Sequence, residues 1–280
     1  MSSEEEKGQI RRILVALDAS PHSLAALRTA AALAAQLGAE LQGLYIEDVT
    51  ILRLAALPVS RRVTVFTLEP ERSDRERLEL ELRAQARQAR RALAEIASRS
   101  RLRWSFRVVQ GTISQELLRA AQDADLLLLG KAGWSRRRRL GSTALVMMRE
   151  APVGVMLIQH GGRLSMPVSL VYNGSEAAQR AMRAAAILLP PGQDFLNIFV
   201  LAENAEQARA RQIQAAAWLR THGLQARFRW LVNSSTEEML GMFQTEGCGV
   251  LVMPAQESIL PEQALAELVN AMGCPVLLVR

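Results

Sequence analysis

Short apolar runs alternate with segments of helical period along the first half of the chain. Residues 13–17 (ILVAL), 41–46, 104–109, 126–129 (LLLL) and 153–158 (VGVMLI) read as strands. The segment 73–98 between them has a different period. Leu78, Leu82, Ala86, Ala89, Leu93 and Ile96 hold one face of a helix whose other face is mostly Arg and Glu, and Ser73 and Glu76 stand in capping-box spacing at its start. A further helix opens at Thr112 to Gln115 after Gly111. A short one follows Gly141, with Ser142 and Thr143 expected as hydroxyl caps. Five strands alternating with four helices predict an α/β fold in which a parallel, doubly wound sheet is covered on both faces.

The pattern occurs twice. Residues 13–33, ILVALDASPHSLAALRTAAAL, lie without gaps over residues 168–188, VSLVYNGSEAAQRAMRAAAIL, so that Asp18 falls on Asn173, Ser20 on Ser175 and Arg28 on Arg183. LLLLG at 126–130 parallels VLVMP at 250–254, and VGVMLI parallels CPVLLV at 274–279. Two five-stranded domains are expected, at 1–160 and 166–280, joined near the polar HGGRLSM and forming a pseudo-twofold tandem repeat. The terminal strands VGVMLI and CPVLLV suit edge pairing, which would join the copies within the chain. The first copy holds roughly thirty more residues between its first and third strands, much of the excess in 48–73 before the long helix. A loop there is placed to fold over the carboxyl ends of the strands, where open α/β sheets bind ligands.

Chemistry concentrates at 126–143, LLLLGKAGWSRRRRLGST. A strand, a glycine-marked loop and a helix start follow in the order that builds anion sites, because glycines admit close backbone approach and a helix N-terminus offers unpaired N–H groups. Arg136, Arg137, Arg138 and Arg139 stand inside that loop, either as phosphate contacts or as a solvated surface. Composition supports packed cores, with 49% hydrophobic residues and only 4% aromatics in 280 residues. The excess of 34 Lys and Arg over 28 Asp and Glu, a formal charge of +6, is too modest to argue for nucleic acid. No apolar run approaches the roughly 18 residues of a membrane helix. The start MSSEEEK lacks the pattern of an export signal, so a cytoplasmic location is expected. Cys248 and Cys274 are read as core residues forming a dithiol at most, and no Cys or His pair has zinc-ligand spacing, so no metal site is expected. His22, His160 and His222 suggest no catalytic triad, Met147 and Met148 read as packing residues, and Trp134 as cover for the loop.

Together, ILVALDASPHS, YIED at 45–48 and DLLLLGKAGWSRRRRLGSTALVMMREAPVGVMLI at 125–158 resemble the universal stress protein family in its tandem, two-domain form. The resemblance implies Rossmann-like, adenine-nucleotide-binding domains. Carried over by position, it implies that Asp18 reaches the ribose, that backbone near Ile46 meets the adenine, and that Gly130 and Gly133 shape the loop. Gly141, Ser142 and Thr143 would donate to the phosphates. The ATP-binding members have nine residues between the second and third glycines, whereas WSRRRRL supplies seven between Gly133 and Gly141. ATP, ADP and AMP therefore remain open as the cofactor, with or without Mg, and the arginines are candidates to replace lost backbone donors. The second copy resembles the family only in degenerate form, since Asn173 replaces Asp18, Pro254 replaces Gly130, and PAQESILPE has no glycine cradle. The implied function is nucleotide-dependent regulation in a stress response, with no catalytic residue assigned and at most slow ATPase activity. The alternative is a nucleotide-independent dimeric scaffold that binds a partner protein. A homodimer and an unidentified regulatory partner are expected, and nucleic acid is the weakest of the partners considered.

Overall fold

The computed structural model describes residues 10–18, 20–50, 74–132, 140–159, 161–256 and 260–280. In the first half these form β1 (Arg12–Leu17), α1 (Pro21–Leu37), β2 (Glu40–Asp48), α2 (Asp74–Arg99), β3 (Trp104–Gly111), α3 (Ile113–Ala121), β4 (Leu126–Gly130), α4 (Ser142–Glu150) and β5 (Gly154–Ile158). In the second half they form β6 (Val168–Tyr172), α5 (Glu176–Ile187), β7 (Phe195–Ala202), α6 (Ala205–Thr221), β8 (Gln225–Val232), α7 (Thr236–Glu246), β9 (Val250–Pro254), α8 (Glu262–Ala271) and β10 (Val276–Val279). Alternation of strand and helix is thus maintained through both halves. The capping residue expected at Ser73 and most of the long insertion, residues 51–73, lie outside the described residues.

All ten strands belong to one sheet in the order β3-β2-β1-β4-β5-β10-β9-β6-β7-β8. Each half repeats one doubly wound order, and every pairing within a half is parallel. The halves meet where β5 and β10 run antiparallel, with Val155 opposite Leu278, Met156 opposite Leu277 and Leu157 opposite Val276. This is the intrachain pairing expected of the two terminal strands. It removes an exposed edge from each half and fuses the two sheets.

Strand alternation divides the apolar residues between two layers. Ile13, Val15, Leu126 and Leu128 face a core covered by α1, α2, α5 and α6, whereas Leu14, Leu127 and Leu129 face one covered by α3, α4, α7 and α8. The predicted stripe of α2 is the buried one, since Leu82, Ala86, Ala89 and Leu93 are buried and Ile96 packs beside them. Met147 and Met148 are likewise core residues of the other layer. Because the winding direction reverses between β1 and β4, the carboxyl ends of these two strands diverge into a crevice, the usual ligand position in such sheets.

Candidate functional site

At the end of β1 the chain turns into α1 through a network of short polar side chains. Ser20 is the N-cap, and its Oγ accepts from the Ser23 amide at 3.2 Å. Asp18 organises the turn before it, its Oδ1 accepting from the Ser20 amide at 2.9 Å. Pro21 then occupies the first turn, where its missing N–H costs nothing. These bonds fix Asp18 at the mouth of the crevice.

The opposite wall is set by Gly130 at the end of β4. A Cβ there would lie 2.7 Å from the His22 Cβ and 2.9 Å from the His22 carbonyl carbon, so only glycine lets the start of α1 approach this closely. Lys131 follows, and its carbonyl accepts from the Gly141 amide at 3.0 Å. That bond ties the end of β4 to the start of α4. Gly133, Trp134 and Arg136 to Arg139 lie outside the described residues.

Two expectations about the start of α4 change here. Gly141 is the N-cap, so Ser142 and Thr143 are the first helical residues and not caps. The Gly141 amide is engaged by Lys131, which removes it from the predicted phosphate donors. The donors at this end begin instead with the amides of Ser142, Thr143 and Ala144, which the geometry of a helix start leaves without intrahelical partners. Ser142 is exposed and Thr143 half-buried, placing both hydroxyls at the surface of the cleft.

Between these walls lies a cleft of about 320 Å³. Asp18, Ile46, Gly130, Gly141, Ser142 and Thr143 all line it, so the sequence-predicted residues that are described converge on one place. Leu44, Ile46, Ile113, Leu117 and Leu129 make its inner side apolar, while Asp18, Ser20, Ser23, Ser142 and Thr143 supply polar groups. An apolar body with a few convergent polar groups is the ordinary composition of a small-ligand site. Among the described residues no cluster of His, Cys, Asp and Glu is arranged to hold a metal ion.

The electrostatics behind the cleft were not foreseen. Lys131 is buried, 7% exposed, and its Nζ donates to the carbonyls of Met272 at 2.7 Å and Asn270 at 3.1 Å. Burial pushes its pKa down to about 8, opposed by the nearby Cys274. The Cys274 and Cys248 sulfurs lie 2.9 Å apart as free thiols, and sharing a proton lowers Cys274 while raising Cys248. Tyr45, on the far side of β2, is pushed up to about 12 by burial, with Glu47 and Asp18 adding to the effect, and its hydroxyl donates to Gln85 at 2.9 Å. His222 stacks on Trp218 with ring centroids 3.8 Å apart, far in sequence from the cleft. His22 lies in the first turn of α1, and His160 is outside the described residues.

In the second half the same turn recurs with different ends. Asn173 Oδ1 accepts from the Ser175 amide at 3.1 Å and from its hydroxyl at 2.7 Å, and Ser175 caps α5 by accepting from Ala178. Gly174, at φ 79°, supplies the left-handed residue between them. At the corresponding helix start, α8 has Pro261 as N-cap and Glu262 in its first turn. The Glu262 carboxylate, paired with Arg149 at 3.1 Å, places negative charge in the turn where an anion would otherwise be favoured.

A Rossmann-like sheet with a cleft at its switch point, bounded by a strand-end carboxylate and a helix start, defines a doubly wound α/β protein with a candidate ligand cleft. Residues 9–159 match the model of the universal stress protein family, and the chain belongs to that family. Over the whole chain it is similar in structure to a universal stress protein from Archaeoglobus fulgidus DSM 4304, with a TM-score of 0.75 and 14% identity, covering 97% of this chain and 99% of that one. It is also similar to a functionally unknown protein from Pseudomonas aeruginosa PAO1, with a TM-score of 0.59 and 14% identity over 99% of this chain and 94% of the other. A putative universal stress protein from Pseudomonas aeruginosa UCBPP-PA14 gives 0.56 and 15% over 98% and 94%. At these identities the likeness establishes the fold. No curated protein gives a significant match.

Proposed function

We propose that the first half binds an adenine nucleotide in the cleft between β1 and β4 and that the protein acts as a nucleotide-dependent regulator. The observation that carries this reading is the convergence of Asp18, Ile46, Gly130, Ser142 and Thr143 on one cleft. Each fits a part of the ligand. The Asp18 carboxylate is an acceptor for ribose hydroxyls, the side formed by Leu44 and Ile46 suits the faces of a purine, and the start of α4 directs amide donors and hydroxyls toward phosphate. Arg136 to Arg139 belong to the segment leading into that helix and are proposed as additional phosphate contacts.

Binding is proposed in preference to turnover. Asp18 already holds the turn through Ser20, and among the described residues lining the cleft there is no general base paired with an orienting group. Any Mg would enter on the nucleotide phosphates, since no protein cluster is arranged for it among the described residues. The proposed setting is cytoplasmic, with regulation of a stress response through a partner protein. A homodimer would use faces other than β5 and β10, which pair with each other inside the chain.

Titration calorimetry of the full chain with ATP, ADP and AMP tests the reading. Saturable binding of at least one nucleotide, weakened tenfold or more by Asp18→Ala, is the expected result. No heat with any of the three removes adenine nucleotides from consideration.

A further inference from the structure

The start of α4 is tied to the second half by three bonds. Lys131 Nζ donates to Asn270 O and Met272 O, the carbonyls at the C-terminal end of α8. The Leu140 amide donates to Asn270 Oδ1 at 3.0 Å, one residue before the α4 N-cap. Lys131 O in turn accepts from Gly141. Lys131 and Asn270 thus secure both sides of the segment that precedes α4, although they stand 139 residues apart. The other end of α4 is held as well, since Arg280 Nη2 donates to Met148 O at 2.6 Å.

These bonds are not what general packing would produce. A lysine side chain normally keeps its ammonium in water, and burying it against neutral acceptors is favourable only where the acceptors are well placed. The last carbonyls of a helix are such acceptors, because they lack intrahelical donors and carry the negative end of the dipole. The position corresponding to Lys131 in the second half is Ala255. It keeps the backbone bond to the neighbouring strand, Ala255 N to Val279 O at 2.8 Å matching Lys131 N to Ile158 O at 2.7 Å, but has no side chain to reach across. The cross-junction tie is therefore built on the side that carries the cleft.

We propose that Lys131 and Asn270 are positioning residues through which the second half holds the start of α4, and with it the anion-binding end of the cleft, in its binding geometry. This rests on the nucleotide reading above. The degenerate second half is then a working part of the site, not only a symmetric support. Because linkage is reciprocal, a ligand on the α4 start must also stabilise the end of α8.

The test compares the full-length protein with its Asn270→Ala, Asn270→Asp and Lys131→Met variants by ATP calorimetry and by hydrogen exchange of the amides at 140–144 and 270–274. Loss of one such hydrogen bond is expected to weaken ATP binding about fivefold in Asn270→Ala and to speed exchange at 140–144. Asn270→Asp keeps an acceptor for Leu140 and is expected to restore slow exchange, while ATP should slow exchange at 270–274 in the unsubstituted protein. Unchanged affinity and exchange in Asn270→Ala would overturn the proposal and leave the nucleotide reading standing. If the unsubstituted protein binds no nucleotide, that reading fails separately, and exchange at 140–144 alone decides whether the tie holds the helix start. Should Lys131→Met fail to fold, Asn270→Ala, whose residue is only half-buried, still decides the outcome.

Discussion

The turn at Asp18 and the turn at Asn173 perform the same structural task with different chemistry. In both, a side-chain oxygen two residues before the cap accepts the amide of a serine that then caps a helix. What differs is charge and what lies opposite. Asp18 carries a carboxylate and faces Gly130 and an open helix start, whereas Asn173 is neutral, and across from it stand Pro254 and a helix whose first turn contains Glu262. The fold tolerates either set. Architecture and site are therefore separable, and the first half keeps groups that the architecture does not require.

The largest effect concerns Lys131, whose second-half counterpart is Ala255. Its pKa falls from 10.5 to about 8 on folding. Below pH 8 it is charged in both folded and unfolded chains, and it adds no pH dependence there. Between about 8 and 10.5 the unfolded chain binds more protons, so stability rises with pH, and the rise from this residue is about 3 kcal/mol. Denaturant unfolding followed from pH 7.5 to 10.5 is expected to show this increase relative to Lys131→Met. Parallel pH profiles for the two proteins would show that Lys131 is not buried as a charge.

A second substitution exchanges the two halves directly. Asp18→Asn gives the first turn the side chain of the second, and Asn Oδ1 retains the bond to the Ser20 amide, as Asn173 does with Ser175. Stability should change by less than about 0.5 kcal/mol, as for substitutions that keep their local partners. Nucleotide affinity should fall about tenfold, near 1.4 kcal/mol, because a charge-assisted acceptor becomes a neutral one. Calorimetry and thermal unfolding on the same sample separate the two effects. A loss of stability equal to the loss of binding would make Asp18 a structural residue.

The sequence announced much of this. Alternating runs placed all five strands of the first half within one residue, apart from the ends of β2 and β3, which run two residues further, because the central strands are buried on both faces and so are uniformly apolar and easily bounded. The internal repeat identified the second sheet and the strands that join the two. Gly130, Gly141 and Asp18 were legible as cleft-lining positions because turns and helix starts demand few residue types. Lys131 and Asn270 were not, since their value lies in a meeting of two chain segments 139 residues apart that no local period records. Gly141 shows a subtler limit. The motif identified its position, but only the bond to Lys131 reveals that its amide is engaged. The apolar lining from Ile113 and Leu117 was likewise indistinguishable in sequence from ordinary core.

The smallest expected effect tests whether the two turns are truly equivalent as scaffolding. Ser20 and Ser175 cap α1 and α5 through nearly identical bonds, 3.2 Å to Ser23 and 3.1 Å to Ala178. Each leaves one otherwise unpaired helix donor satisfied, so Ser20→Ala and Ser175→Ala should each cost about 1 kcal/mol in unfolding free energy. Their effects on nucleotide binding should diverge. Ser20 anchors Asp18 through its amide, which alanine preserves, but its hydroxyl also fixes Ser23 in the wall of the cleft. A measurable fall in affinity is therefore expected for Ser20→Ala and none for Ser175→Ala. Equal losses of affinity would mean that capping strength, transmitted through the shared sheet, governs the site from either half.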